Sequence, residues 1–130
     1  VSARRVLIVE DNPLVAKFYK MALERAGGFE CVISEDVDEI LREVDSRSIE
    51  LAILDISLSA SRFQGELIDG VRLAQMLKQR LPKLPILIAT AHAMTGDRER
   101  LMKSSGADGY LEKPIYDAQL LVDKVTELLK

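Results

Sequence analysis

Apolar and polar positions change period repeatedly along this chain, and each change marks an element. Val6-Leu7-Ile8-Val9 is a short apolar run that predicts a first strand. Asp11-Asn12-Pro13 follows as a helix start, with Asn12 as N-cap and Pro13 at the first helical position. A helical pattern runs through Leu14, Phe18, Met21, Ala22 and Arg25 until Gly27-Gly28 stops it. Cys31-Val32-Ile33 predicts a second strand, and Asp36 caps a helix carrying Val37, Ile40, Leu41 and Val44. Leu51-Ala52-Ile53-Leu54 is the third strand and ends at Asp55. Residues 56–68 read as irregular. Asp69-Gly70 then begins a helix with Val71, Leu73, Ala74 and Leu77 on one side, ended by Pro82. The fourth strand runs from Pro85 to Thr90. Thr95-Gly96-Asp97 opens a charged helix through Leu101 and Met102, and Gly106 ends it. Gly109-Tyr110-Leu111-Glu112 is a short fifth strand, and a last helix is expected from Ile115 to Lys130 with Leu121, Val122, Val125, Leu128 and Leu129 on its apolar face.

These are five β-then-α units in series. Strands one, three and four are apolar without alternation, so both of their faces should be covered. The expected fold class is therefore α/β, a parallel sheet with helices on both sides and right-handed crossovers.

Composition narrows the reading further. A chain of 130 residues is the size of one domain, 1–130, and can build its own core. It is 48% hydrophobic and 30% charged, which argues against long disordered segments. One Cys excludes an internal disulfide framework and suits a reducing compartment, so a cytoplasmic location is expected. A single His and a single Cys leave no cluster for structural zinc. The net charge of -3 offers no broad basic field, and the aromatic fraction of 5% offers little for base stacking, so nucleic acid is not an expected partner. No stretch approaches ~18 uninterrupted apolar residues, so no membrane span is expected.

Parallel sheets of this kind bind ligands at the carboxyl ends of their strands. Strand one ends in Glu10-Asp11, strand three in Asp55 and strand four in Thr90, while Lys113-Pro114 comes after strand five. Three carboxylates, a hydroxyl and an amine should meet at one edge. Such carboxylates repel one another unless a cation intervenes, and oxygen-only ligation favours Mg2+ or a similar hard ion.

At this point the sequence resembles the receiver domain of two-component response regulators, with its flavodoxin-like fold. The resemblance covers the whole chain. It is carried by Val-Glu-Asp-Asn-Pro at 9–13, Leu-Asp-Ile at 54–56, Asp69-Gly70, Thr90-Ala91 and the run from Gly106 to Pro114. It implies a five-stranded sheet of order 2-1-3-4-5. It also implies that Asp55 is the phosphoacceptor and that Asp11 is a direct ligand of Mg2+, or of Mn2+ in its place. Glu10 would act mainly through a metal-bound water, with the Ser57 backbone carbonyl as the remaining protein ligand. By the same resemblance Thr90 and Lys113 would each hold a phosphoryl oxygen, and Tyr110 occupies the aromatic switch position. The Lys113-Pro114 bond would be cis. The implied partners are a sensor histidine kinase or histidine phosphotransfer protein, and a downstream effector, separate or covalently linked. A homodimer through the helix-four, strand-five, helix-five surface belongs to the same expectation. Such a protein is catalytic only towards its own phosphorylation and dephosphorylation.

The chain departs from the family in one place. Asp69 lies 14 positions beyond Asp55, where the family usually has about seven, so an extended loop at about 57–68 carries an insertion between Ser59 and Leu67. It is either a tolerated surface loop or a contact loop in which Arg62 or Phe63 reaches a partner. Cys31 is expected in the core, His92 in an exposed loop, and Arg98 and Arg100 on a solvated helix face. Two other functions compete: a receiver-fold interaction module independent of phosphate, and a phosphatase with an Asp nucleophile. The latter would want Asp-x-Asp after strand one, where this chain has Glu10-Asp11-Asn12.

Overall fold

The computed structural model describes residues 4–58, 61–91 and 96–130. Ser59, His92 and Thr95, each of which carries an expectation from the sequence, lie outside the described residues. The elements run β1 (Arg5–Val9), α1 (Pro13–Gly27), β2 (Glu30–Ile33), α2 (Val37–Asp45), β3 (Ile49–Leu54), β4 (Arg62–Phe63), β5 (Glu66–Leu67), α3 (Gly70–Arg80), β6 (Ile86–Thr90), α4 (Asp97–Ser105), β7 (Gly109–Glu112) and α5 (Ala118–Leu128). The main sheet has five parallel strands in the order β2-β1-β3-β6-β7. This is the expected 2-1-3-4-5 topology, with the hairpin β4-β5 inserted between the third and fourth strands of the sheet.

Both faces of the sheet are covered, which is why the central strands carry no polar alternation. Val6, Ile8, Leu51, Ile53, Leu87 and Ala89 point to one side, where α1 and α5 supply Tyr19, Leu23, Leu121 and Val125. Leu7, Val9, Ala52, Leu54 and Ile86 point to the other, against Ile40, Val44, Leu73 and Leu77 of α2 and α3. Cys31 is buried in the first of these clusters, as expected of a small core residue, and burial pushes its thiol up to about 12.

Two helices differ from their sequence patterns. The buried face of α1 is Ala16, Tyr19, Ala22 and Leu23, while Leu14 and Met21 are exposed. Small Ala16 and Ala22 face the sheet, and the helix is rotated so that Leu14 faces outward. The last helix begins at Ala118 rather than at Ile115, because Asp117 caps it by accepting from the Gln119 and Leu120 N–H groups at 2.9 and 3.4 Å. Residues 115–117 therefore form the connection from β7.

The stretch read as irregular, 56–68, contains an antiparallel hairpin. Arg62 pairs with Leu67 and Phe63 with Glu66. Gln64 and Gly65 turn between them at φ 53 and 85, both left-handed, as a two-residue hairpin of this hand requires. The Ile68 N–H closes the base of the hairpin on the Ser61 carbonyl at 3.0 Å.

Candidate functional site

The carboxyl edge of the sheet collects the expected residues by strand register alone. Val9 is paired with Leu54, so Glu10 and Asp55 leave adjacent strands side by side. Thr90 is paired with Glu112, and the Lys113 N–H donates to the Thr90 carbonyl at 2.9 Å, which fixes Lys113 at the same edge. The Lys113-Pro114 peptide is cis.

One oxygen from each of Glu10, Asp11 and Asp55 lies within 4.8 Å of the other two. Glu10 and Asp55 are buried, at 4% and 6% exposure, and Thr90 is fully buried. The Lys113 ammonium donates to Asp55 Oδ2 at 3.0 Å and forms an ion pair with Glu10 Oε1. Glu10 Oε2 accepts from the Asn12 N–H at 3.1 Å, and Asp55 Oδ1 accepts from the Ser57 N–H at 3.3 Å. Burial is the largest influence on Glu10, and it pushes the carboxyl up to about 7. The Lys113 and Asn12 hydrogen bonds pull the other way, and the Asp55 charge adds to the rise. Burial pulls the Lys113 ammonium down, but its hydrogen bonds and charge interactions with Glu10 and Asp55 outweigh that and hold it above its ordinary value. One half-buried cation is thus shared between two buried carboxylates, with Asp11 beside them. That donor set is all oxygen and carries excess negative charge, which fits a hard divalent ion.

Gly70 is part of the site's frame. A Cβ on it would lie 1.9 Å from the Asp55 carbonyl oxygen, so only glycine lets α3 start this close to the Asp55 backbone. The Gly70 N–H also donates to the Ile56 carbonyl at 2.9 Å. The glycine of the Asp69-Gly70 pair is therefore a packing requirement beside Asp55, with Asp69 capping α3 through the Arg72 N–H at 2.8 Å.

Tyr110 is buried and packs with Ile88 of β6 and Leu101 of α4. The Arg98 guanidinium sits over its ring, 5.8 Å from the centroid. Arg100 pairs with Asp97. On the hairpin, Arg62 is exposed and donates to the Gly65 carbonyl at 3.2 Å, whereas Phe63 is half-buried and packs against the core on the α2 and α3 side. Neither belongs to the carboxylate cluster.

Two residues near the site were not singled out from the sequence. Tyr19 is buried beneath it, and its hydroxyl has no hydrogen-bond partner among the described residues. Burial, then the Glu10 and Asp55 charges, push its pKa up. Glu35 comes just after β2, and it holds a buried carboxylate oxygen without a partner among the described residues.

This geometry agrees with what is found among known proteins. Residues 6–126 match the family model for the response regulator receiver domain. The chain belongs to that family. DivK of Brucella ovis, a polar-differentiation response regulator, is 32% identical over 114 residues, which span 86% of this chain and 85% of DivK. A CheY-like receiver domain protein from Methanospirillum hungatei JF-1 has a similar structure, with a TM-score of 0.81 at 26% identity over 98% of this chain and 94% of that one. The NtrX receiver domain of Brucella abortus gives 0.80 at 27% identity over 95% and 97%. Phosphorylation-based switching is the general function of receiver domains. They generally bind Mg2+ through acidic residues, and this receiver carries such a cluster. They act with kinases or phosphotransfer proteins and with effector domains. Among the described residues, no helix is long and apolar enough to cross a membrane.

Proposed function

We propose that the whole chain, 1–130, hairpin included, is one receiver domain in which Asp55 accepts a phosphoryl group from a phosphohistidine. The observation that carries this reading is the Lys113 ammonium 3.0 Å from Asp55 Oδ2 within a cluster of three carboxylates, two of them buried. An Asp55 oxygen forms the new P–O bond while the P–N bond to the donor imidazole breaks, and its electron pair returns to the ring. A carboxylate is a weak nucleophile, so the work is positioning and charge neutralisation. Ser57 and Lys113 fix the Asp55 carboxylate from two sides. Lys113 stays charged and pairs with a phosphoryl oxygen, and the Thr90 hydroxyl takes another. Glu10, Asp11, Asp55 and the Ser57 carbonyl would hold the Mg2+, which when bound neutralises both the carboxylates and the incoming oxygens.

The acyl phosphate adds nearly two negative charges at the sheet edge. Thr90 moves towards them, and Tyr110 on the adjacent strand adjusts to the space, which alters the α4-β7-α5 surface. That surface is the one for the effector or a second copy. The donor protein, a histidine kinase or phosphotransfer protein, meets the α1 side of the site. There Leu14, Phe18, Pro114 and Ile115 line an apolar cleft of about 350 Å3 that reaches Lys113. Arg62 on the exposed hairpin is a contact for the same partner. The receiver itself acts in the cytoplasm.

Incubation with Mg2+ and a small phosphodonor should give a hydroxylamine-labile adduct that is lost in Asp55→Asn. A wild-type chain that forms no adduct refutes the reading.

A further inference from the structure

We propose that Glu35 is a fourth carboxylate of the cation site, acting on the hydration shell of the ion, and that the inserted hairpin holds it there. The inference rests on the Mg2+ reading of Glu10, Asp11 and Asp55.

Register places Glu35 at the same edge of the sheet as the three carboxylates. Ile33 is paired with Ile8, and the Ser34 N–H donates to the Ile8 carbonyl at 3.1 Å. Glu35 therefore leaves β2 at the edge where Glu10 and Asp11 leave β1 and Asp55 leaves β3. The carboxylates come from three adjacent strands. Glu35 feels the Asp11 and Asp55 charges, which add to burial in raising its pKa.

The side chain lacks a partner among the described residues. The residue is half-buried overall, but its Oε2 is buried and has no hydrogen bond there. A buried carboxylate oxygen without a donor is costly, and native structures rarely leave one so. The nearby cations are engaged elsewhere. Lys113 serves Glu10 and Asp55. Arg62 lines a cleft of about 300 Å3 with Glu35, Asp36 and Val37, but it donates to the Gly65 carbonyl. A hydrated Mg2+ supplies what is missing, because it keeps several waters, each a polarised donor. Carboxylates outside the direct ligands orient such shells and strengthen binding.

The insertion fixes the backbone at Glu35. Ser61 is fully buried, and its Oγ donates to the Glu35 carbonyl at 2.9 Å. On the other flank, Ser34 Oγ accepts from the Asp36 N–H at 3.1 Å, and Asp36 caps α2. Ser61 lies within the added stretch and at the base of the hairpin. The extra residues thus act as a brace on the β2-α2 connection.

The test is Mg2+ affinity by calorimetry at neutral pH and low salt, for the wild type, Glu35→Gln, Ser61→Ala and Asp11→Asn, with thermal unfolding of each metal-free protein. Glu35→Gln should weaken binding about tenfold while leaving the metal-free melting temperature unchanged or higher, since it removes a charge with no partner. Ser61→Ala should shift the affinity in the same direction by a smaller factor. Affinity within twofold of wild type in Glu35→Gln overturns the proposal, as does a loss of affinity matched by a lower metal-free melting temperature, which marks a structural role. Unchanged affinity in Ser61→Ala overturns the hairpin's part. A wild type that binds no Mg2+ refutes the underlying site reading. Binding that is lost in Asp11→Asn and kept in Glu35→Gln refutes only the role of Glu35.

Discussion

Glu10 gives the metal-free protein a pH dependence opposite to the usual acid denaturation. Its carboxyl is raised from 4.5 to about 7 in the folded state, chiefly by burial. Between those values the folded chain holds a proton that the unfolded chain has released. Stability must then fall as pH rises through this window, and level off above it. Each tenfold change in the proton equilibrium is about 1.4 kcal/mol, so the full displacement corresponds to a loss of roughly 3 kcal/mol. Glu35, also raised, contributes with the same sign. Lys113 is held above its ordinary value too, so its stabilisation is present at all pH below about 10 and does not disturb the window. Urea unfolding in a chelator from pH 5 to 8 reads this directly. The wild type should lose stability over the range, and Glu10→Gln should be flatter and more stable at the alkaline end. Saturating Mg2+ should restore most of the loss at high pH and little at low pH. Wild-type stability that is flat or rises from pH 5 to 8, or an unchanged slope in Glu10→Gln, refutes the reasoning.

Three further outcomes rest on single contacts. Gly70→Ala forces a Cβ to within 1.9 Å of the Asp55 carbonyl unless the backbone moves; it should cost about 1–3 kcal/mol in urea unfolding and slow phosphorylation roughly 100-fold by displacing Asp55. Gln64→Gly relieves a left-handed φ of 53 in the hairpin turn and should raise stability by about 0.5 kcal/mol, with no change in phosphorylation rate. Arg98→Ala removes the guanidinium over the Tyr110 ring; it should cost about 0.5–1 kcal/mol in the same assay and move the Tyr110 ring resonances in NMR spectra of the unphosphorylated protein.

The sheet was legible because its signal is redundant. Runs such as Val6 to Val9 and Ile86 to Ala89 are apolar on both faces, as strands covered on both sides are, and they alternate with helical patterns. The site was legible for the same reason, since Glu10, Asp55, Thr90 and Lys113 sit at strand ends that the topology brings together. Periodicity failed where docking geometry decides. On α1, Leu14 and Met21 share the helical spacing with buried residues, yet the orientation set by Ala16 and Ala22 leaves them exposed. The hairpin was illegible because its strands are two residues long, too short to show alternation. Glu35 carries no periodic signal, since it lies just past the apolar run of strand two. Its register with β1 was the available signal.

The central claim is that this receiver stores a phosphoryl group on Asp55 through a site that needs a divalent cation. Phosphotransfer from a phosphohistidine donor, with mass spectrometry of the intact chain and of its peptides, tests it most directly. The account predicts one phosphoryl group per chain, mapped to Asp55, formed with Mg2+ and absent with a chelator or in Asp55→Asn. Phosphoryl transfer to another residue, or transfer that persists when the cation is removed, would contradict it.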